Sequence, residues 1–151
     1  MRRLLDIRHA RSGAAALEMA IIMPVIAGMM LAAIDFSNAW SMRLQLEQAA
    51  QRGIELAAVR KGVATDYNYI RDEAVAAWGK PVTAARAETW LECGGVRQAS
   101  LTANCNGAQR ARYVAVTLSA DFQPSFNWGG VIPGNRNGGF NLTGDATVRV
   151  Q

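Results

Sequence analysis

The residue most out of place in this chain is Glu18. It is the only charged side chain between Ala14 and Ile34, a run of 21 residues that is otherwise apolar apart from Gly28 and Pro24. A carboxylate in hydrocarbon costs roughly 2.5–3.5 kcal/mol on insertion scales unless it is paired. A cut after Gly13 would offset that cost: Ala14 would then present a new α-amino group, and Glu18 would be the fifth residue of the mature chain. The carboxylate could neutralise that amine, or the amine of a neighbouring subunit when helices pack side by side. A carboxylate that reaches the headgroup water from near the end of a span is the plainer alternative.

Other groups with chemical potential are sparse. His9 is the only histidine and lies among Arg2, Arg3, Arg8 and Arg11, so the 138 residues after Gly13 have no imidazole. Triads, Cys-His dyads and histidine-rich metal sites all need one. Enzymatic chemistry is therefore not expected, and neither a catalytic residue, a metal nor a cofactor is assigned. Cys93 and Cys105, with 11 residues between them, are the only cysteines. If the segment is exported, they pair in an oxidising compartment; two separate buried thiols are the alternative. Glu88 and Glu92 read as a solvated strand face. Arg110 and Arg112 beside Tyr113 could touch a polyanion, but read as ordinary surface charge. The pairs Gly94-Gly95, Gly129-Gly130 and Gly138-Gly139 lack a following Lys-Ser or Lys-Thr and read as turns. Trp78, Trp90, Phe126 and Trp128 build or cover a core rather than a ligand surface. Asn141-Leu142-Thr143 fits a glycosylation sequon, a pattern common by chance.

The elements that position these groups follow from periodicity. The 151 residues, 50% hydrophobic and 19% charged, are enough for one domain and too few apolar residues for several membrane spans. The net charge of +4 resides mostly in residues 1–13, which carry four arginines against Asp6; the remainder holds 12 basic and 11 acidic side chains. Nucleic-acid binding is thus not expected. Residues 1–13 form a basic leader, and 14–34 can cross a hydrocarbon core of about 30 Å at about 1.5 Å per residue. The leader before the span and Asp35 after it orient it with the N-terminus in the cytoplasm and the rest exported. Phe36, Trp40, Leu44, Ala50, Ile54, Ala57 and Ala58 continue a helical pattern over 35–61, predicting one helix from about Ala14 to Val59. Gly53 weakens that pattern locally, and Gly62 is its expected stop.

Beyond it, 62–151 reads as a small α+β head. A helix from about Asp66 to Trp78 is capped by Thr65 or Asp66 and ended by Gly79 and Pro81. Strands are expected at Ala87–Cys93, Arg97–Ala103, Tyr113–Phe122 and Phe140–Val150, the last interrupted by Gly144, with a loop over Pro124–Gly139. The expected class is α+β: a long N-terminal helix, its first half transmembrane and its second half amphipathic, then a head with a short helix and an antiparallel sheet.

From Arg11 to Trp40 the sequence reads RSGAAALEMAIIMPVIAGMMLAAIDFSNAW. A basic leader, Gly13 before small residues, Glu18 at the fifth mature position, Pro24 inside the apolar run and Asp35-Phe36 just beyond it resemble the TadE-like pilins. These are minor pilins or pseudopilins of the tight adherence (Flp-type) pilus, in the type IV filament superfamily. The resemblance implies cleavage between Gly13 and Ala14 by a prepilin peptidase on the cytoplasmic side, with the apolar helix retained as anchor and assembly core, where Glu18 and Pro24 act. It implies the major pilin, a second pseudopilin, an inner-membrane platform and an assembly ATPase as partners, and a single-pass inner-membrane protein with a periplasmic head that enters an extracellular pilus. Ala14 stands where many type IV pilins and type II secretion pseudopilins begin with Phe, which favours the Tad branch. Two further accounts remain: a signal-anchored periplasmic binding module unrelated to pili, and a secreted domain freed by a signal-peptide cut after Ala33, where Leu31 fits poorly.

Overall fold

The computed structural model describes residues 2–59, 67–128 and 139–150. Helix α1 runs Arg2–Val59, helix α2 Asn68–Trp78, and four strands follow: β1 Ala84–Cys93, β2 Val96–Arg97, β3 Arg110–Phe122 and β4 Phe140–Arg149. The architecture is α+β, as the periodicity implied. The chain divides into two compact units, Met1–Asn38 and Ala39–Gln151.

Helix α1 begins twelve residues earlier than Ala14, because nothing between Arg2 and Gly13 breaks a helix. Pro24 lies inside it. Lacking an N–H, Pro24 leaves the Ala20 carbonyl without its usual donor, and the helix continues through it. Its last described residue is Val59. Gly62, Thr65 and Asp66 lie outside the described residues.

In the second unit, Leu46, Ala49, Ala50, Ile54 and Ala57 of α1 join Ile70, Ala74 and Trp78 of α2 in one buried cluster. The spacing of four, three or one along each helix builds a single apolar stripe. Helix α2 has Tyr67 at its N-cap position with no side-chain cap bond. Its C-terminus is as expected. Gly79 adopts φ 67°, and its N–H donates to the Val75 carbonyl at 3.1 Å, the left-handed cap that glycine makes at least steric cost.

The sheet is fully antiparallel with strand order β2-β1-β3-β4. Central β3 alternates in burial: Val114, Val116, Leu118 and Ala120 are buried against the helices, while Tyr113, Ala115, Thr117 and Ser119 are half-buried on the other face. The expected strand over Arg97–Ala103 shrinks to Val96–Arg97. Gly94 (φ 58°) and Gly95 (φ 84°) turn the chain tightly after β1, and Gln98 donates to the Leu91 carbonyl at 2.8 Å. After that, the Ser100 and Asn104 side chains accept backbone N–H groups of Thr102 and Asn106, local turns that compete with a ladder. Cys93 and Cys105 form a disulfide with Cα atoms 5.2 Å apart, tying this loop to the end of β1.

Two glycines that weakened the sequence pattern turn out to be packing devices. A Cβ on Gly144 would lie 2.5 Å from the Glu47 nitrogen and the Leu46 carbonyl carbon. The backbone of α1 therefore rests directly on β4, and β4 runs through Gly144 without a break. A Cβ on Gly53 would lie 2.6 Å from the Ile70 carbonyl oxygen and 2.9 Å from the Ala74 Cβ, so the same helix also touches α2 backbone to backbone. Glycine in these interiors costs entropy but permits approaches that any side chain would block.

Candidate functional site in the N-terminal helix

Gly13, Ala14, Glu18 and Pro24 all lie on α1, and all four are exposed. Ala14 and Glu18 are four residues apart, so they sit one helical turn from each other on the same face. Around them the helix is apolar on every side and bare. Leu17, Met19, Ile21, Met23, Val25 and Met29 are each at least 58% exposed. Among the described residues, one helical stretch, Gly13–Ala57, is long and apolar enough to cross a membrane, and none of its most apolar portion is buried. A helix that is hydrophobic all round and uncovered demands lipid or partner helices as its surroundings. The site is therefore a surface: an apolar cylinder marked by one carboxylate near its start.

Residues 13–54 match the family described as TadE-like protein. The matched segment is a little over a quarter of the chain, starts at Gly13 and ends within the second unit. It agrees with the resemblance carried by Arg11–Trp40. No curated protein and no solved structure matches the chain. The matched segment includes Glu18, Pro24, Asp35 and all of the α1 stripe but Ala57, so it runs from the bare apolar helix into residues that build the head's core.

The other groups singled out in the sequence belong, among the described residues, to the second unit. Glu88 pairs with Arg97 at 3.8 Å, and both are more than half exposed. Glu92 accepts a hydrogen bond from the Trp90 indole at 2.8 Å. Trp90 also stacks on Tyr113 with ring centroids 5.4 Å apart, and the Arg97 guanidinium lies 4.8 Å from its ring centre. These side chains form a braced patch on the sheet face away from the helices. The four aromatic residues separate: Trp78 is in the core, Trp90 on the outer face, and Phe126 packs edge-on against Trp128 at 4.9 Å. Gly129-Gly130 and Gly138 lie outside the described residues. Among the described residues, no three His, Cys, Asp or Glu side chains come together as a metal site would require.

One assignment is overturned. Arg112 is not surface charge but is 7% exposed. The signal was present in the sequence: Arg112 shares the even-numbered phase of Val114, Val116, Leu118 and Ala120, the buried face of β3.

Proposed function

We propose that this chain is a minor pilin or pseudopilin, a structural and non-enzymatic protein that is processed after Gly13 and takes part in assembling a Tad/Flp-type pilus. The single observation that carries the reading is the bare apolar helix with its lone carboxylate one turn past Ala14, inside a segment that matches the TadE-like family. In the membrane the helix is held by lipid, with the leader in the cytoplasm and the disulfide-bearing head in the periplasm. During assembly, residues from Met19 to Ile34 exchange lipid contacts for contacts with neighbouring helices. Glu18 sets the register by pairing with the freed amine of Ala14 on an adjacent subunit, because an unpaired carboxylate among packed apolar helices costs far more than a paired one. Pro24 supports this step by leaving the Ala20 carbonyl available and the helix locally adaptable. The prepilin peptidase, the major pilin, other pseudopilins and an inner-membrane platform with its ATPase are the partners this reading requires.

The deciding experiment is intact mass and N-terminal sequencing of the protein from native membranes, with and without the cognate peptidase. A mature chain beginning at Ala14 and dependent on the peptidase is the expected result. A chain that still begins at Met1 would overturn processing and favour a signal-anchored periplasmic binding module.

A further inference from the structure

Between Ala14 and Ile34 there is no aromatic side chain. Two follow within the next six residues, Phe36 and Trp40, and the rest of the described helix α1 has none. Four residues apart, they lie one turn from each other on the same face of the helix. They are 69% and 53% exposed, so more than half of each side chain is uncovered. The covered side of α1 in this region is a different one, carried by Ala39, Met42 and Leu46.

Their height along the helix gives the pair its meaning. At about 1.5 Å per residue, Glu18 stands about 27 Å from Phe36 and about 33 Å from Trp40, which brackets a hydrocarbon core of about 30 Å. Measured from Ile34, Phe36 lies about 3 Å and Trp40 about 9 Å further out, at the level of the headgroups and their border with water. Helical side chains lean toward the N-terminus, so both rings reach back toward the lipid. The exposed apolar surface, which surrounds the helix up to Ile34, narrows at this point to the single face of Phe36, Trp40 and Leu44. Arg43 is the first exposed charged residue after Glu18 and pairs with Glu47 at 3.2 Å, which places water beside the end of that stripe.

We propose that Phe36 and Trp40 bind the lipid headgroup layer on the side of the membrane that carries the head, so that the bilayer surface is a partner of α1 beyond Ile34. An aromatic ring has an apolar body, and the indole adds an N–H, so such rings gather at the headgroup level rather than in the hydrocarbon. A span free of aromatic residues that ends in two of them matches that boundary. Ser37, Asn38 and Ser41, all exposed around the pair, suit the same polar layer. The rings also continue the lipid-facing surface of the span without a break, which favours lipid over a protein partner. The proposal requires that the apolar run cross a membrane; it is independent of cleavage after Gly13 and of pilus assembly.

The test uses the full-length protein in vesicles of phosphatidylcholine and phosphatidylglycerol whose acyl chains carry bromine either near the headgroup or near the chain end. Co-flotation with the vesicles is read first: a chain that does not float overturns the span itself, and the anchor with it. Emission from Trp40 is taken as wild type minus Trp40→Phe, because Trp78, Trp90 and Trp128 are common to both. Both aromatic positions are exposed, so these substitutions leave the core untouched. The expected result is quenching of Trp40 about twofold stronger by the shallow bromines than by the deep ones. Phe36→Trp in the Trp40→Phe chain should be quenched more than Trp40 by both, since it lies one turn closer to the hydrocarbon. A floating chain whose Trp40 is unquenched, or is quenched more by the deep bromines, overturns the anchor and leaves the span standing. An unquenched Trp40 whose emission shifts with the protein-to-lipid ratio would assign the pair to a neighbouring helix instead.

Discussion

At the scale of single residues, the closest constraints in the head fall on side chains that are absent. Gly144→Ala would push a methyl group to within 2.5 Å of the α1 backbone at Leu46 and Glu47, where nothing flexible can yield. We expect it to destabilise the head by roughly 2–3 kcal/mol, the upper range for overpacking a well-filled core, measured by urea unfolding in detergent. Gly53→Ala meets the Ile70 carbonyl oxygen at 2.6 Å and should cost a similar amount. Gly28→Ala is the control: a Cβ there meets nothing within 4 Å, so it should stay within about 1 kcal/mol of wild type. Equal effects at all three positions would mean that helix propensity, not close approach, governs these glycines.

At the scale of elements, α1 divides by what covers it. Between Gly13 and Ile34 it is bare, and its second half supplies Leu46, Ala50 and Ile54 to the core. Glu18→Ala lies in the bare stretch and touches none of that core, so it should insert into the membrane and leave the head's melting temperature unchanged. Under the proposed function it should nevertheless abolish or strongly reduce pilus assembly, read by pilus yield on cells; wild-type yield would sink the pairing of Glu18 with Ala14. The β1 end and the loop after β2 depend on a different device. The disulfide between Cys93 and Cys105 closes a loop across a sequence separation of 12. Replacing both cysteines with serine should lower stability by about 3 kcal/mol on the chain-entropy account of a loop this size. The loss should appear as a lower urea midpoint with wild-type secondary structure retained by circular dichroism.

At the scale of the whole molecule, the buried cluster among the described residues draws on positions from Leu46 onward. Removal of residues 1–13, whether by the peptidase or by truncation, should therefore leave the unfolding transition of the head in place. A shift of more than a few degrees in melting temperature between processed and unprocessed protein would show that the leader contributes to the fold. Processing and folding would then be coupled, which nothing in the buried core requires.

Much of this was legible in the sequence because it depends on local chemistry. The apolar run, its basic leader and its lone carboxylate are properties of consecutive residues, and membrane compatibility follows from length and hydropathy with no tertiary contact needed. The period of two in Tyr113–Phe122 sorted β3 into two faces, and the helices decided which of them is covered. The family resemblance was legible for the same reason: it lies in a contiguous segment. What the sequence left open depends on residues far apart in the chain. Gly144 looked like a break in a strand and Gly53 like a weak point in a helix, because the elements that press on them, α1 at Leu46 and α2 at Ile70, are distant in sequence. Arg97–Ala103 looked like a strand by composition, and the local turns with the tether to Cys93 divert it. Arg112 showed its phase in the sequence but not that its buried Nε finds no hydrogen-bond partner among the described residues. Whether a charge is paired is decided by which carboxylates the fold brings near, and here it turns Glu92 to the other face of the sheet.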